Sequence, residues 1–195
     1  MTVSVVVADA NILFSRTLRD YFLYAADEGA IEIHWSQEIL DEMSRNLRER
    51  LGLSHADTAR LEQLMNDFIE YALIHVDAED RATVAAVEMD AKDRHVLAAA
   101  ISADADILLT DNTRHFPRPW MAGRGIELLD GGQLLSRLAG DFPDKMRMAH
   151  AKTVRYSPKP EADVLATLEG IVGATTADAI RRFAEPTGNE QSDRD

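Results

Sequence analysis

The stretch DAKDRHVLAAAISADADILLT, residues 90–110, predicts a helix followed by a strand. Asp90 can cap a helix that runs from about 92 to 103, and the three alanines at 98–100 allow this helix to pack closely against its neighbours. The segment ADILLT at 105–110 is typical of a strand, and polar turn residues follow it. A helix that leads directly into a strand is the repeating unit of an α/β protein.

The same alternation extends to both sides of this stretch. Residues 3–8 (VSVVVA) are almost continuously apolar, as in a strand buried on both faces. Further strands are predicted at 31–36, near 74–76 and at 125–130. Helices are predicted at 17–28, from the Ser36 cap to about 50, from Ser54 to about 69, at 79–88 and from 131. We therefore expect a three-layer α/β/α sandwich with a central parallel sheet.

Changes in composition and in secondary-structure pattern divide the chain into three parts. Residues 1–140 carry the strand–helix alternation of one α/β domain. Residues 141–183 predict a helical C-terminal extension of two or three helices, joined at the stiff segment 157–160 (SPKP). Residues 184–195 are polar and contain Gly and Pro, so a disordered tail is expected.

Composition excludes several classes of protein. There is no cysteine, so disulfides and thiolate metal sites are excluded. No apolar run approaches the ~18 residues of a membrane helix, and the N-terminus lacks the positive leader of a signal peptide, so a cytoplasmic location is expected. The net charge of −13 does not attract nucleic acid through the global field. A nucleic-acid role would need a bound metal and a local basic patch, or a partner.

Oxygen-bearing side chains stand where the elements of the predicted sheet end or begin. Asp9 directly follows the first strand, Glu42 lies near the start of a helix, Asp93 opens a later helix, and Asp111 and Asn112 follow another strand. Ligands collect at the carboxyl ends of parallel strands and the facing helix starts. If these side chains meet, they form an oxygen-only cage that suits Mg²⁺ or Mn²⁺.

Each of these residues also has a purely structural explanation. Asp9, Asp111 and Asn112 are common turn formers, and Glu42 could be a solvated surface residue. Asp90 and Asp93 would both stabilise a helix N-terminus without any metal. The joint position of these residues at one edge of the sheet favours a functional site.

The strings DANIL, SQEILDEMSRNL, DAKDRHVLAAAISADADILLTDNTRHFP and GIELL resemble a PIN-domain ribonuclease, and more narrowly a VapC-type toxin of bacterial toxin–antitoxin pairs. The resemblance covers residues 3–140, and the helices of 141–183 loosely resemble an extension of longer members. It implies a metal-dependent endoribonuclease that inhibits growth and is neutralised by a small antitoxin, whose arginine crosses the acidic pocket. It also implies homodimers, for which the apolar helix faces at 17–28 and 37–50 are candidate surfaces.

The resemblance assigns roles to particular residues. Asp9 and Asp93 would bind Mg²⁺ or Mn²⁺ directly, and Glu42 would bind a second ion or position the attacking water. Asn112 occupies the site position of the T-x-D or T-x-N motif, where it would orient ligands or water. Four further residues are expected to support the site: Asn11, Asp90, Thr110 and Asp111.

Basic residues near the predicted site could hold RNA phosphates, with Arg94, Arg114, Arg16 and Arg118 as candidates, although simple surface ion pairs explain them equally well. Trp120 is a candidate for base stacking or a partner contact, whereas His95 and His115 are expected to be structural or surface residues. Two other functions remain open. One is a metal-dependent DNA nuclease, and the other is a catalytically silent PIN-like binding or scaffold protein.

Overall fold

A five-stranded, all-parallel sheet forms the centre of the molecule, as the sequence predicts. The computed structural model describes residues 3–184. The strands are β1 (Ser4–Ala8), β2 (Ile31–Ser36), β3 (Leu73–Ile74), β4 (Ile107–Leu109) and β5 (Glu127–Leu129). Their order in the sheet is β3-β2-β1-β4-β5.

Helices cover the sheet and account for most of the remaining chain. They are α1 (Ala10–Phe14), α2 (Arg16–Asp27), α3 (Gln37–Leu51), α4 (His55–Phe68), α5 (Ala78–Ala85), α6 (Arg94–Ser102), α7 (Arg118–Ala122), α8 (Gly131–Asp141), α9 (Pro143–Arg155), α10 (Glu161–Val172) and α11 (Ala174–Arg181). Short 3-10 turns occupy Ala91–Asp93 and Thr113–His115. The predicted three-layer α/β/α fold is confirmed, although the five-residue helices α1 and α7 were not predicted.

The central strand β1 fixes the position of the site. Val6 pairs with Ile33 on one side and with Ile107 on the other, and none of its surface is exposed. From β1 the chain first adds β2 and β3 on one side and then crosses to add β4 and β5 on the other side. The direction of strand addition therefore reverses between β1 and β4. Ligands of open α/β sheets bind in the crevice at the carboxyl ends of the strands that flank such a reversal. Asp9 follows β1 directly, and Thr110 follows β4.

Helix α3 begins and ends at well-defined caps. The Ser36 hydroxyl accepts a hydrogen bond from the Ile39 amide at 3.3 Å, and Gly52 ends the helix with a φ of 69°, which a side chain disfavours. The buried stripe of α3 contains Ile39, Met43 and Leu47. The opposite face is therefore free to line a cleft.

The helical spacing of apolar residues in α4 predicts one buried stripe, made of Leu61, Leu64, Met65, Phe68 and Ile69. Met65 and Ile69 are buried as expected, but Leu64 and Phe68 are 54% and 44% exposed. The main contact of α4 is with α3, so only one side of its apolar stripe is covered. The uncovered side forms one wall of an apolar groove between α2, α3 and α4.

The region 141–183, predicted as a helical extension, consists of α9, α10 and α11. Helix α9 packs along α2, where the Tyr21 hydroxyl and His150 Nδ1 are 2.7 Å apart. Met146, Leu168 and Ile180 are completely buried, so all three helices add to the same apolar core. Of the predicted tail at 184–195, all but Ala184 lies outside the described residues.

Within residues 3–184, no helix combines the length and the apolar character that a membrane span requires.

Candidate active site

A polar cleft of about 790 Å³ is lined by residues of α1, α3 and α6 and of the turn that follows β4. Glu42, Asp93 and Asn112, three of the four predicted catalytic residues, line this cleft together with Asn11. They come from segments up to 100 residues apart, and the sheet topology brings them together. The fourth residue, Asp9, lies beside the cleft and contacts it through Asn11.

Asp9 is a buried carboxylate at the start of α1, with only 5% of its surface exposed. It accepts hydrogen bonds from the Ala10 amide at 2.6 Å, from Asn11 Nδ2 at 2.6 Å and from the Thr110 hydroxyl at 2.7 Å. Burial raises the pKa of Asp9 to about 6; the Thr110 hydrogen bond opposes this shift, and the charge of Glu42 adds to it. Asp9 therefore caps α1, and its pKa also depends on the charge of Glu42 in the cleft.

Glu42 faces a histidine that follows Asp93. Nε2 of His95 lies 3.3 Å from Oε2 of Glu42, at ion-pair distance but without the alignment of a hydrogen bond. His95 Nδ1 lies 2.8 Å from the Lys92 carbonyl oxygen, which can only accept, so Nδ1 carries the proton. The His95 contact lowers the pKa of Glu42, against an opposing effect of burial. Burial lowers the pKa of His95, but Glu42 outweighs burial, and the pKa is raised. When His95 is protonated, the two side chains form an ion pair.

Asp93 is buried at the start of α6, and a second histidine contacts its carboxylate. His115 Nδ1 lies 3.0 Å from Asp93 Oδ2. Asp90, three residues earlier, accepts a hydrogen bond from the Lys92 amide at 3.1 Å, and this bond lowers its pKa. Asp90 therefore caps the short turn before α6 and is not among the residues that line the cleft.

The segment Thr110-Asp111-Asn112 separates its two candidate ligands. Asp111 Oδ1 accepts a hydrogen bond from the Gly131 amide at 3.1 Å, at the start of α8, and burial raises its pKa. Asn112 instead lines the cleft, and its backbone N–H donates a hydrogen bond to the Thr110 hydroxyl at 3.1 Å. The neutral residue, rather than the acid beside it, is thus the one placed at the site.

None of the four arginines predicted to hold phosphate lines the cleft. Arg94 and Arg118 donate to the carbonyl oxygens of Val87 and Leu128, each at 3.3 Å. Arg16 lies 3.6 Å from Asp20, and Arg114 is exposed. Phosphate binding by these four arginines stays a prediction.

The cations of the cleft are Arg45 and Arg50 of α3 and Lys92. The sequence contained a signal for Arg45, because it lies three positions after Glu42 on the side of α3 opposite the buried stripe. Trp120, the predicted stacking residue, is half-buried on α7, and the Arg124 guanidinium lies 3.6 Å from its ring centre.

The predicted oxygen cage is not preassembled. Within residues 3–184, no three acidic or histidine side chains lie close enough together to hold a metal ion. Each carboxylate has its own partner instead: Thr110 for Asp9, His95 for Glu42 and His115 for Asp93.

The donor atoms nevertheless suit a hard divalent ion. Carboxylate oxygens of Asp9, Glu42 and Asp93 and the amide oxygen of Asn112 are ligands of the kind that Mg²⁺ and Mn²⁺ accept. Mg²⁺ keeps several waters and binds through one or two carboxylates plus substrate phosphate, so it does not require a complete protein cage.

The sheet order and the acidic cleft at the strand reversal define an α/β/α protein with a site of the kind that binds divalent cations. A model of the PIN domain family matches residues 5–114, which is more than half of the chain. The chain therefore belongs to the PIN domain family, whose members are generally nucleases and typically use divalent metals such as Mg²⁺. No curated protein and no solved structure gave a match.

Proposed function

We propose that this protein is a divalent-metal-dependent endoribonuclease of the VapC type, a growth-inhibiting cytoplasmic toxin that a cognate antitoxin neutralises. The main support is the gathering of Glu42, Asp93 and Asn112 in one cleft, with Asp9 beside it, inside the region matched by the PIN family. The narrower resemblance of the sequence to VapC toxins supplies the substrate class and the antitoxin.

Asp9 and Asp93 would hold the metal, and Glu42 would hold a second ion or the attacking water. A divalent ion held by these residues would supply a more acidic water and a positive charge that offsets the charge developing on the phosphate. The protein contributes oriented oxygen ligands: Asp9 is fixed by three hydrogen bonds, and Asp93 is held by His115. The Asn112 amide can orient a water or a ligand by hydrogen bonding.

His95, which lines the cleft, and His115, which contacts Asp93, have a supporting role in this proposal. His95 and His115 each hold one of the carboxylates expected to bind metal, and such outer contacts fix the orientation of ligands. They also place positive or hydrogen-bonding groups beside carboxylates that would otherwise repel one another.

The antitoxin is expected to act on two surfaces. Its arginine would enter the acidic cleft, where a guanidinium can pair with the carboxylates in place of a metal ion. An apolar groove of about 820 Å³ between α2, α3 and α4 offers a second contact, and its exposed residues include Leu51, Leu64 and Phe68. A homodimer could use the same groove, since most of the apolar stripe predicted on 17–28 is buried inside the molecule.

Cleavage of single-stranded RNA with Mg²⁺ or Mn²⁺ tests the proposal directly. Asp9→Asn and Asp93→Asn are expected to abolish cleavage, whereas Asp67→Asn, an exposed acid of α4 outside the cleft, should cleave like the wild type. Full activity in both site variants would overturn the assignment. Parallel digests of single-stranded DNA and flap substrates test the alternative DNA nuclease, and saturating antitoxin should stop cleavage.

A catalytically silent binding or scaffold protein is the second candidate. Two observations favour it: the carboxylates are not preassembled, and a neutral Asn112 occupies the fourth position. Calorimetric titration with Mn²⁺ separates the two candidates. A nuclease is expected to bind Mn²⁺ in a manner that depends on Asp9 and Asp93, whereas a silent protein is expected to show no such binding.

A further inference from the structure

The exposed face of α3 changes charge along its length. Polar residues of α3 outside its buried stripe line the cleft along the length of the helix. The cleft-lining residues of its N-terminal half are Glu38, Asp41 and Glu42, and those of its C-terminal half are Arg45, Asn46 and Arg50. One helix therefore makes the cleft acidic at one end and basic at the other.

Partners within the protein occupy the acidic end. Glu38 pairs with Arg81 at 2.6 Å, Asp41 accepts a hydrogen bond from Gln37 at 2.9 Å, and Glu42 faces His95. Lys92, the cleft cation that acts on Glu42 at this end, also has a carboxylate partner, since its Nζ lies 3.5 Å from Asp90 Oδ2.

The arginines at the basic end are available to bind an external anion. Arg45 and Arg50 are exposed and form no salt bridge with any acid in residues 3–184. The Arg50 guanidinium lies 5.7 Å from the ring centre of Phe14, which is half-buried and also lines the cleft. Two arginines beside an aromatic ring are the usual components of a single-strand binding track, because phosphates need cations and bases need a stacking surface.

The spacing places this track beside the reacting phosphate. With a rise of ~1.5 Å per residue, Arg45 lies about 4.5 Å and Arg50 about 12 Å beyond Glu42 along the helix axis. A strand whose scissile phosphate lies at Glu42 and Asp93 would pass both arginines on one side. On the other side it would meet carboxylates already paired with protein groups.

We propose that the protein holds single-stranded RNA on one side of the scissile phosphate only, with Arg45 and Arg50 binding backbone phosphates and Phe14 stacking a base. The choice of ligand depends on the proposed nuclease function. The track supplies the local basic patch that a chain of net charge −13 needs for nucleic-acid binding. The bound segment is read by its backbone and by one stacked base.

Binding without cleavage tests the arginines. Fluorescence anisotropy of a labelled single-stranded RNA in EDTA would compare the wild type with Arg45→Gln and Arg50→Gln. Each substitution should weaken binding several-fold and reduce the slope of log K against log salt by about 0.7, the value for one phosphate contact on a single strand. Arg60→Gln, an exposed arginine of α4 outside the cleft, is the charge-matched control and should bind like the wild type.

Neutral methylphosphonate linkages test the one-sided geometry. Placed on one side of the cleavage position they should weaken binding, and on the other side they should have no effect. Equal weakening from both sides would overturn the proposal, as would arginine variants that bind and cleave like the wild type. If the wild type shows arginine-dependent binding but no cleavage, the nuclease function fails and the binding track stands. If no RNA binds at all, the track fails.

Discussion

Asp9 shows how one buried carboxylate can cost stability at neutral pH. Burial raises its pKa from 3.8 to about 6, so between these values the folded protein holds a proton that the unfolded chain releases. The stabilisation is complete below pH 3.8 and is lost as the pH rises through 6. A shift of this size corresponds to about 3 kcal/mol.

We therefore expect the Asp9→Asn variant to lack this part of the pH dependence. In the metal-free state, the free energy of unfolding of the wild type relative to Asp9→Asn should fall by about 2.4 kcal/mol from pH 4 to pH 7, most of the full effect. Urea denaturation at a series of pH values measures the difference, in which other titrating groups cancel. If the free energy of unfolding depends on pH in the same way in both proteins, the pKa of Asp9 is not raised by folding.

Neighbouring residues 111 and 112 should behave differently on substitution. Asp111→Ala removes the acceptor for the Gly131 amide and should lower the free energy of unfolding by about 1 kcal/mol, with Mn²⁺ affinity unchanged. Asn112→Asp adds a carboxylate to the cleft and should raise Mn²⁺ affinity, as calorimetry would show. A loss of Mn²⁺ affinity in Asp111→Ala would instead identify Asp111 as the ligand.

The sequence identified side chains that the fold gathers in and beside the cleft, but it did not show their partners. Asp9, Glu42, Asp93 and Asn112 could be selected because each stands at the end of a strand or near the start of a helix. The pairing of His95 with Glu42 could not be predicted, since it joins α6 to α3 and depends on side-chain direction. The same holds for His115, which lies in a turn 22 residues beyond Asp93.

At the scale of elements, α3 matters most, since it carries both Glu42 and the two arginines of the cleft. Its first turn depends on the Ser36 cap. We expect Ser36→Ala to lower the free energy of unfolding by about 1 kcal/mol and also to weaken Mn²⁺ binding, because Glu42 lies only six positions from the cap.

Ser54→Ala is the matched control for this prediction. Ser54 caps α4 through a capping box with Asp57, and α4 contributes nothing to the cleft. The loss of stability should be similar, about 1 kcal/mol, with Mn²⁺ affinity unchanged. Equal effects of both substitutions on Mn²⁺ affinity would show that α3 does not position Glu42 through its cap.

Element prediction succeeded where a pattern was long enough to show its period. The predicted strand at 31–36 coincides with β2, and the Ser36 cap correctly marks the start of α3. Helices α1 and α7, of five residues each, contain too few turns to show a helical period. The stripe of α4 was half wrong because periodicity identifies an apolar face without showing what covers it.

At the scale of the whole molecule, alternating strands and helices predicted the parallel sheet, but the docking of the last three helices could not be predicted. Helix α9 lies along α2, and the two contact residues Tyr21 and His150 are 129 positions apart. Contacts over such separations depend on the complementary shapes and polar groups of two surfaces. A helical pattern in the sequence contains neither.

The Tyr21–His150 contact should couple the two parts of the molecule energetically. Both residues are buried, and His150 Nε2 also lies 2.9 Å from Glu161 Oε1, so this short chain of hydrogen bonds joins α2, α9 and α10. Tyr21→Phe leaves a buried ring nitrogen without its partner, which should cost about 1–3 kcal/mol. A chain of this length should then melt at least 2 °C lower.

The number of thermal transitions in Tyr21→Phe tests whether residues 141–183 unfold together with the sheet. If they do, near-UV and far-UV circular dichroism of Tyr21→Phe should follow one shared transition at the lower temperature. Tyr156→Phe, at a tyrosine that is 59% exposed, should melt like the wild type. Two separate transitions in Tyr21→Phe would instead show that the helices can detach while the sheet and its cleft remain folded, which would make the extension a separate unit.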